Sequence, residues 1–252
     1  MLKVIDEKEY IEVNIPITSD YFRKHKIPIA FLNKRFSPSF IKVFNECPAK
    51  SFLRVLKPVT SRAIDTGNEV HKALEEFDSK ELTKDQLLTK YPNIKNYLQS
   101  YFNLDPLVPE NKDKRILTEK KYVLKYGDIE LSGIIDKIII TNDDIYIIDY
   151  KTSKKPVNIQ WYYTQLVVYY LLVTNFIDCT NKKVHVGLCW ITQNDAGYEW
   201  LIITEDDIKQ FNQNINIIFE EIKSFMITKQ LKKNINPSKC RYCNLCNWNT
   251  KK

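Results

Sequence analysis

The stretch from Ile147 to Pro156, IIDYKTSKKP, decides how the middle of this chain is read. An apolar run ends by setting an acid and a lysine, Asp149 and Lys151, two residues apart. In an extended strand positions i and i+2 share a face, so Asp149 and Lys151 point one way and Ile148 and Tyr150 the other. Taken alone, the pair is a weak ion pair on a solvated face. Its neighbours change that reading. Upstream lies a second apolar run, DIELSGIIDKIIIT from Asp128 to Thr141, and only Asn142 and Asp143 separate the two. A loop of those two residues predicts a β-hairpin with Thr141 opposite Asp144 and, counting back pair by pair, Asp136 opposite Asp149. A three-residue loop without a bulge would put the two aspartates on opposite faces.

Two carboxylates facing each other at that spacing repel unless a positive charge lies between them. A divalent cation with oxygen ligands suits the place. Such an ion lowers the pKa of a bound water and polarises a phosphodiester, while a lysine one pleat away orients the nucleophile or stabilises charge in the transition state.

Outward from the hairpin, the hydrophobic period sorts the chain into elements. FSPSFIKVFNECPAKSFLRVL reads as helix, with a cap at Ser37 or Ser39 and a fresh start at Pro48 after Cys47. TGNEVHKALEEF is helical, with Val70, Leu74 and Phe77 on its apolar stripe and His71 beside it. ILTEKKYVLKY precedes the hairpin as a third strand; NIQWYYTQLVVYYLLVTNF is a helix; VHVGLCWIT and GYEWLIIT are two strands; DDIKQFNQNINIIFEEIKSFMI is a long amphipathic helix. The order predicts an α/β fold: a mixed central sheet flanked by helices, after a helical N-terminal part.

The 252 residues suffice for one large core, and 44% hydrophobic with 12% aromatic residues excludes a disordered chain. A net charge of +7, from 38 basic and 31 acidic residues, tilts toward a polyanionic partner. The longest apolar run, LVVYYLLV from Leu166, is too short to span a bilayer, and MLKVIDEKEY does not resemble a signal peptide. The expected location is therefore intracellular and cytoplasmic, with no membrane contact. In a reducing compartment the six cysteines call for a metal or a core position before a disulfide. Richness in Lys, Asn and Ile with five glycines fits an AT-rich genome and is consistent with a virus-encoded protein.

GIIDK, Gly133 to Lys137, followed by DYKTS from Asp149, resembles the PD-(D/E)xK nuclease superfamily, specifically its RecB and Cas4-like exonuclease branch. That branch's order of motifs is a helical His, G-x-x-D, D/E-x-K and Q-x-x-x-Y. Here these fall on His71, Asp136, Asp149 with Lys151, and Gln165 with Tyr169. The proline of the superfamily's name is Ile135. The resemblance implies a restriction-endonuclease-like core over residues 66–235 and Mg²⁺- or Mn²⁺-dependent hydrolysis of DNA, with Asp136, Asp149 and Lys151 as catalytic residues. It implies metal ligation by His71, Asp136, Asp149 and the Tyr150 backbone carbonyl. Gln165 and Tyr169 would hold Lys151 or lie near the scissile phosphate. Apart from the resemblance, Glu119 on the preceding strand is a candidate to support the site from behind the ligands.

KCRYCNLCNW places Cys240, Cys243 and Cys246 as C-x2-C-x2-C, a spacing that favours a metal centre over core packing. Cys47 is the candidate fourth ligand. The Cas4-like resemblance implies a 4Fe–4S cluster clasping residues 37–58 to 236–252 within a single domain of 1–252. Cys246 follows Cys243 more closely than the family's usual spacing, and zinc on the same thiolates stays open. Cys179 and Cys189 are expected to be buried as small hydrophobes.

The leading function is thus a DNA exonuclease of processing, recombination or repair. Its substrate is expected to be single-stranded or to carry a free end. The alternative is a non-catalytic nucleic-acid-binding or assembly subunit of a larger helicase–nuclease complex, and a protein partner in recombination or replication is open in either case. Basic and aromatic residues between Lys151 and Tyr162 suit contact with a strand.

Overall fold

In the computed structural model, which describes residues 2–3, 10–13, 35–53, 62–109 and 111–232, elements change where the hydrophobic period changes. Three short strands come first, β1 (Leu2–Lys3), β2 (Tyr10–Val13) and β3 (Arg35–Phe36). Helix α1 (Pro38–Glu46) is capped by Ser37, whose hydroxyl accepts the Phe40 N–H. Pro38 stands in the first turn, where a missing N–H costs nothing. Cys47 ends α1 in an extended conformation, and Pro48 opens α2 (Pro48–Leu53). Next come α3 (Arg62–Asp78), α4 (Lys84–Lys90, with a Thr83–Gln86 capping box) and α5 (Lys95–Phe102). The meander follows as β4 (Arg115–Tyr126), β5 (Ile129–Ile140) and β6 (Asp144–Lys151). Gly127, at φ 59°, supplies the left-handed residue between β4 and β5. A 3₁₀ turn (Ile159–Tyr162) leads into α6 (Tyr163–Phe176), then β7 (Lys183–Ile191), β8 (Ala196–Leu201), α7 (Glu205–Thr228) and β9 (Gln230–Lys232).

These elements make two sheets. One has the order β1-β2-β9; the other, six-stranded, has the order β3-β5-β6-β7-β8 with β4 also paired to β5. In the larger sheet β6 and β7 are parallel and joined through α6, since a parallel pair needs a crossover, whereas β5–β6 and β7–β8 are antiparallel. It is the expected mixed sheet.

The described residues group into two compact units, one from 1–59, 125–131 and 208–252, the other from 60–124 and 132–207. In the first unit Arg35 pairs in register with Glu130 and binds its carboxylate at 2.6 Å, while the Phe52 and Phe225 rings of α2 and α7 meet edge-on at 5.4 Å. The second unit holds the hairpin. One face of its strands, with Ile139, Ile148, Tyr150, Cys189 and Ile191, packs on Val70, Leu74, Leu87 and Leu98 from α3, α4 and α5. Helix α6 packs on β6 and β7 and buries residues on all its sides, from Leu166 to Val173, as its unbroken apolar sequence requires.

The hairpin register is the expected one. Thr141 N–H donates to the Asp144 carbonyl at 2.9 Å, and the pairs run from Ile140–Ile145 to Lys137–Ile148. Cys189 is buried, but Cys179 is not; it is half-buried in the loop after α6, where the chain has left the core, and its thiol reaches the Ile177 carbonyl at 3.2 Å. Cys240, Cys243 and Cys246 lie outside the described residues. Among the described residues, no helix is long and apolar enough to cross a membrane.

Candidate active site

The hairpin's register brings the two aspartates to one place. One residue pair beyond the Lys137–Ile148 pairing, the Tyr150 N–H donates to Asp136 Oδ2 at 2.6 Å, so a backbone amide of the D-x-K stretch holds the carboxylate of G-x-x-D. Asp149, 2% exposed, accepts a hydrogen bond on Oδ1 from Gln165 Nε2 at 2.6 Å. Its buried Oδ2 meets the Lys151 ammonium as an ion pair and takes no hydrogen bond of regular geometry among the described residues. Burial pushes the Asp149 carboxyl above its ordinary range, and the charge of Lys151 opposes that shift. Burial alone would lower the Lys151 ammonium; the adjoining Asp149 carboxylate more than offsets it and raises it. The Lys151 Nζ also lies 5.5 Å from the centre of the Tyr162 ring, on the turn before α6.

Helix α6 explains the Q-x-x-x-Y spacing. Gln165 and Tyr169 are one turn apart, and the Gln165 amide that binds Asp149 also donates to the Tyr169 hydroxyl at 3.1 Å. The tyrosine ring needs room at the sheet, and Gly133 leaves it: a Cβ there would stand 2.9 Å from Tyr169 Cε1. The first residue of G-x-x-D and the last of Q-x-x-x-Y are thus one packing contact.

His71, on α3, turns Nδ1 to Asp136 Oδ1 at 3.4 Å, and its ring stands edge-on to Tyr150 at 5.8 Å. Burial would lower this imidazole, but the hydrogen bond and charge of Asp136 outweigh it and raise it. Glu119 completes the cluster. Ligand atoms of His71, Glu119 and Asp136 all lie within 4.8 Å of one another. Glu119 adopts φ 46° inside β4, a left-handed conformation that a glutamate reaches only at a cost of about 1–3 kcal/mol. Burial and then the Asp136 charge push its carboxyl up to about 7. Two carboxylates and one imidazole this close together could hold a divalent cation.

Of the residues singled out from sequence, the structure gathers His71, Glu119, Asp136, Asp149, Lys151, Gln165 and Tyr169 around Tyr150. Glu119 stands among the possible ligand atoms themselves rather than behind them. No sequence pattern marks it, because its place depends on one left-handed residue in a strand. Cys47 belongs to the other compact unit, at the end of α1.

A set of buried groups behind the hairpin has no sequence signature either. The Tyr150 hydroxyl donates to Asp78 Oδ2 at 2.9 Å and contacts the Tyr101 hydroxyl at 3.1 Å. Lys137, 8% exposed, donates to Asp78 Oδ1 at 2.6 Å and to Tyr101 at 3.0 Å. Lys137 follows Asp136 and Tyr150 follows Asp149, so this network fixes the residue next to each aspartate. Buried charge that is paired and hydrogen-bonded on every side holds one geometry.

A mixed sheet flanked by helices, with an acid on one strand of a hairpin, D-x-K on the other and Q-x-x-x-Y on the crossover helix, defines a restriction-endonuclease-like nuclease fold. The chain belongs to the PD-(D/E)XK nuclease superfamily, whose sequence profile matches residues 35–248. It is similar to the CRISPR-associated exonuclease Cas4 of Francisella tularensis subsp. novicida (strain U112), with 25% identity over 195 residues, 77% of this chain and 83% of that protein. Its fold also matches a crystal structure from Eubacterium rectale, of a protein provisionally assigned as an exonuclease, at a TM-score of 0.55 and 13% identity over 94% of each chain.

At pH 8, above the Glu119 value of about 7, Glu119 and Asp136 repel each other in metal-free protein. Glu119→Gln is expected to raise the metal-free melting temperature by about 2–5 °C and to abolish the further rise caused by MnCl₂ in the unaltered chain. Thermal melts with and without Mn²⁺ read both effects.

Proposed function

We propose that this chain is a Mg²⁺- or Mn²⁺-dependent deoxyribonuclease that hydrolyses phosphodiester bonds from a free DNA end, inside the cell, in DNA processing, recombination or repair. The observation that carries this reading is the convergence of Asp136, Asp149 and Lys151 with His71 and Glu119 around one peptide, that of Tyr150. A binding module has no use for an ammonium held against a buried carboxylate beside a cluster of acids. The ligands of the metal are His71, Glu119 and Asp136, with the Tyr150 carbonyl and Asp149 available at the edge of the cluster. When bound, the ion supplies charge neutralisation and a more acidic water.

The chain's own groups do the rest. Asp149 holds Lys151 in place, and Gln165, fixed through Tyr169, occupies the other oxygen of Asp149 so that Oδ2 remains for the lysine. The ammonium is thereby a preorganised donor for the negative charge that builds on the phosphoryl oxygens as water adds and the sugar oxygen leaves. Tyr150 keeps Asp136 from turning away, and the Tyr162 ring borders Lys151.

We further propose that Cys47, Cys240, Cys243 and Cys246 hold a 4Fe–4S cluster, with zinc as the competing occupant, within one nuclease domain spanning 1–252. The tight run of three C-terminal thiols and the likeness to a Cas4 exonuclease support this. Its place is structural, joining residues 37–58 to 236–252.

End-labelled DNA incubated with Mg²⁺ or Mn²⁺ tests the reaction. Lys151→Ala is expected to slow cleavage about 1,000-fold or more while weakening DNA binding by less than about threefold, since one cation among many contributes little counterion release. A large loss of binding with an unchanged single-turnover rate would make Lys151 a docking residue, and no metal-dependent cleavage by the unaltered protein would favour a non-catalytic subunit. Protein purified without oxygen is expected to be brown, and Cys47→Ser should lose the same absorbance near about 400 nm as Cys243→Ser. Colourless protein containing zinc would assign the site to that metal.

A further inference from the structure

The turn between β6 and α6 exposes two large apolar side chains. Trp161 is 62% exposed and Val157 91% exposed, in a segment that begins at Lys151. An isolated exposed aromatic residue is ordinary on a protein surface. The backbone that carries this one is tied down. Asn158 caps its 3₁₀ turn: Asn158 Oδ1 accepts the Gln160 N–H at 2.8 Å, and its carbonyl accepts the Trp161 N–H at 3.2 Å. Two residues on, the Tyr163 hydroxyl is tied to the Asp207 carbonyl at 2.7 Å. The next residue after Trp161 is Tyr162, whose ring lies against the Lys151 ammonium. The same segment carries Lys154 and Lys155, the latter ion-paired to Glu199 at 2.5 Å yet still 62% exposed.

An indole carried on a capped turn needs no ordering of its backbone on binding, and its exposed face is a platform. The ligand must be flat, must tolerate cations nearby and must be continuous with the chemistry at Lys151. We propose that Trp161 is a stacking subsite for an unpaired nucleobase of the substrate strand, and therefore that the enzyme takes its DNA single-stranded at this point. The inference rests on the nuclease reading for what the strand is, and it adds which form of the strand is recognised. A duplex offers its phosphates to Lys154 and Lys155 but keeps its base faces stacked within the helix; a single strand offers both. Trp161 touches no reacting atom in this account. It is a positioning and specificity residue.

The full-length protein is tested by fluorescence anisotropy with an oligothymidine strand, the same strand carrying abasic residues, and a blunt duplex of equal length. Ca²⁺ replaces Mg²⁺ so that binding is read without cleavage. Trp161→Ala is expected to bind the oligothymidine strand about 5- to 100-fold more weakly and the duplex almost unchanged. The unaltered protein should bind the abasic strand as weakly as the variant binds the intact one, the variant should no longer distinguish the two strands, and Trp161→Phe should recover most of the affinity. Equal losses on single strand and duplex would reduce Trp161 to a general structural or electrostatic role and overturn the proposal. So would unchanged binding, which would leave the indole to a protein partner, and so would indifference of the unaltered protein to the missing bases. Failure of the nuclease reading shows separately, as absence of Mg²⁺-dependent cleavage of either DNA form by the unaltered protein.

Discussion

The pairing register of β5 and β6 is the constraint on which the site depends. Because only Asn142 and Asp143 lie between the strands, the pairs are fixed from Ile140–Ile145 to Lys137–Ile148, and Asp136 and Asp149 are carried to the same level of the hairpin. A slip of one residue would turn Asp149 and Lys151 into the layer that packs on α3, α4 and α5, and bring Ile148 and Tyr150 out to the acids. The cost would be twofold, two charges moved into an apolar core and a broken set of hydrogen bonds around Tyr150. Register and chemistry are therefore specified by the same residues.

Tyr150 shows how this works on both sides of the sheet at once. Its N–H binds Asp136, and its hydroxyl is anchored in the buried set of Asp78, Tyr101 and Lys137. Neither aspartate can shift without moving a neighbour that is hydrogen-bonded within the core. On the opposite layer Gln165 and Tyr169 brace Asp149, and Gly133 gives Tyr169 its room. Carboxylates that repel each other are thus held close by hydrogen bonds from the hairpin backbone and from α6. Burial, and after it the charge of Asp136, raises the Glu119 carboxyl, and burial opposed by Lys151 raises that of Asp149.

Most of the fold was legible because its signals are local: the cap at Ser37, the restart at Pro48, the apolar runs of β5 and β6, the apolar run of α6. The two-residue turn made even the register legible, and with it Asp136, Asp149 and Lys151. Glu119 was legible only as a neighbour, since its place among the possible ligands needs a left-handed residue within a strand, which no propensity announces. Asp78, Tyr101 and Lys137 escaped altogether. They are separated by tens of residues, and a buried lysine looks like a surface lysine until its partners are known. Cys179 was misjudged because a small apolar residue in sequence does not reveal that its loop has already left the core.

The central claim is that the cluster of His71, Glu119 and Asp136 is built to hold a divalent cation. Anomalous diffraction from crystals soaked in Mn²⁺ tests it directly. The account predicts a peak bonded to His71, Glu119 and Asp136, and no peak at that position in Glu119→Gln crystals. Mn²⁺ bound between Asp136 and Asp149 with Glu119 turned away, or unchanged binding in the variant, would contradict it.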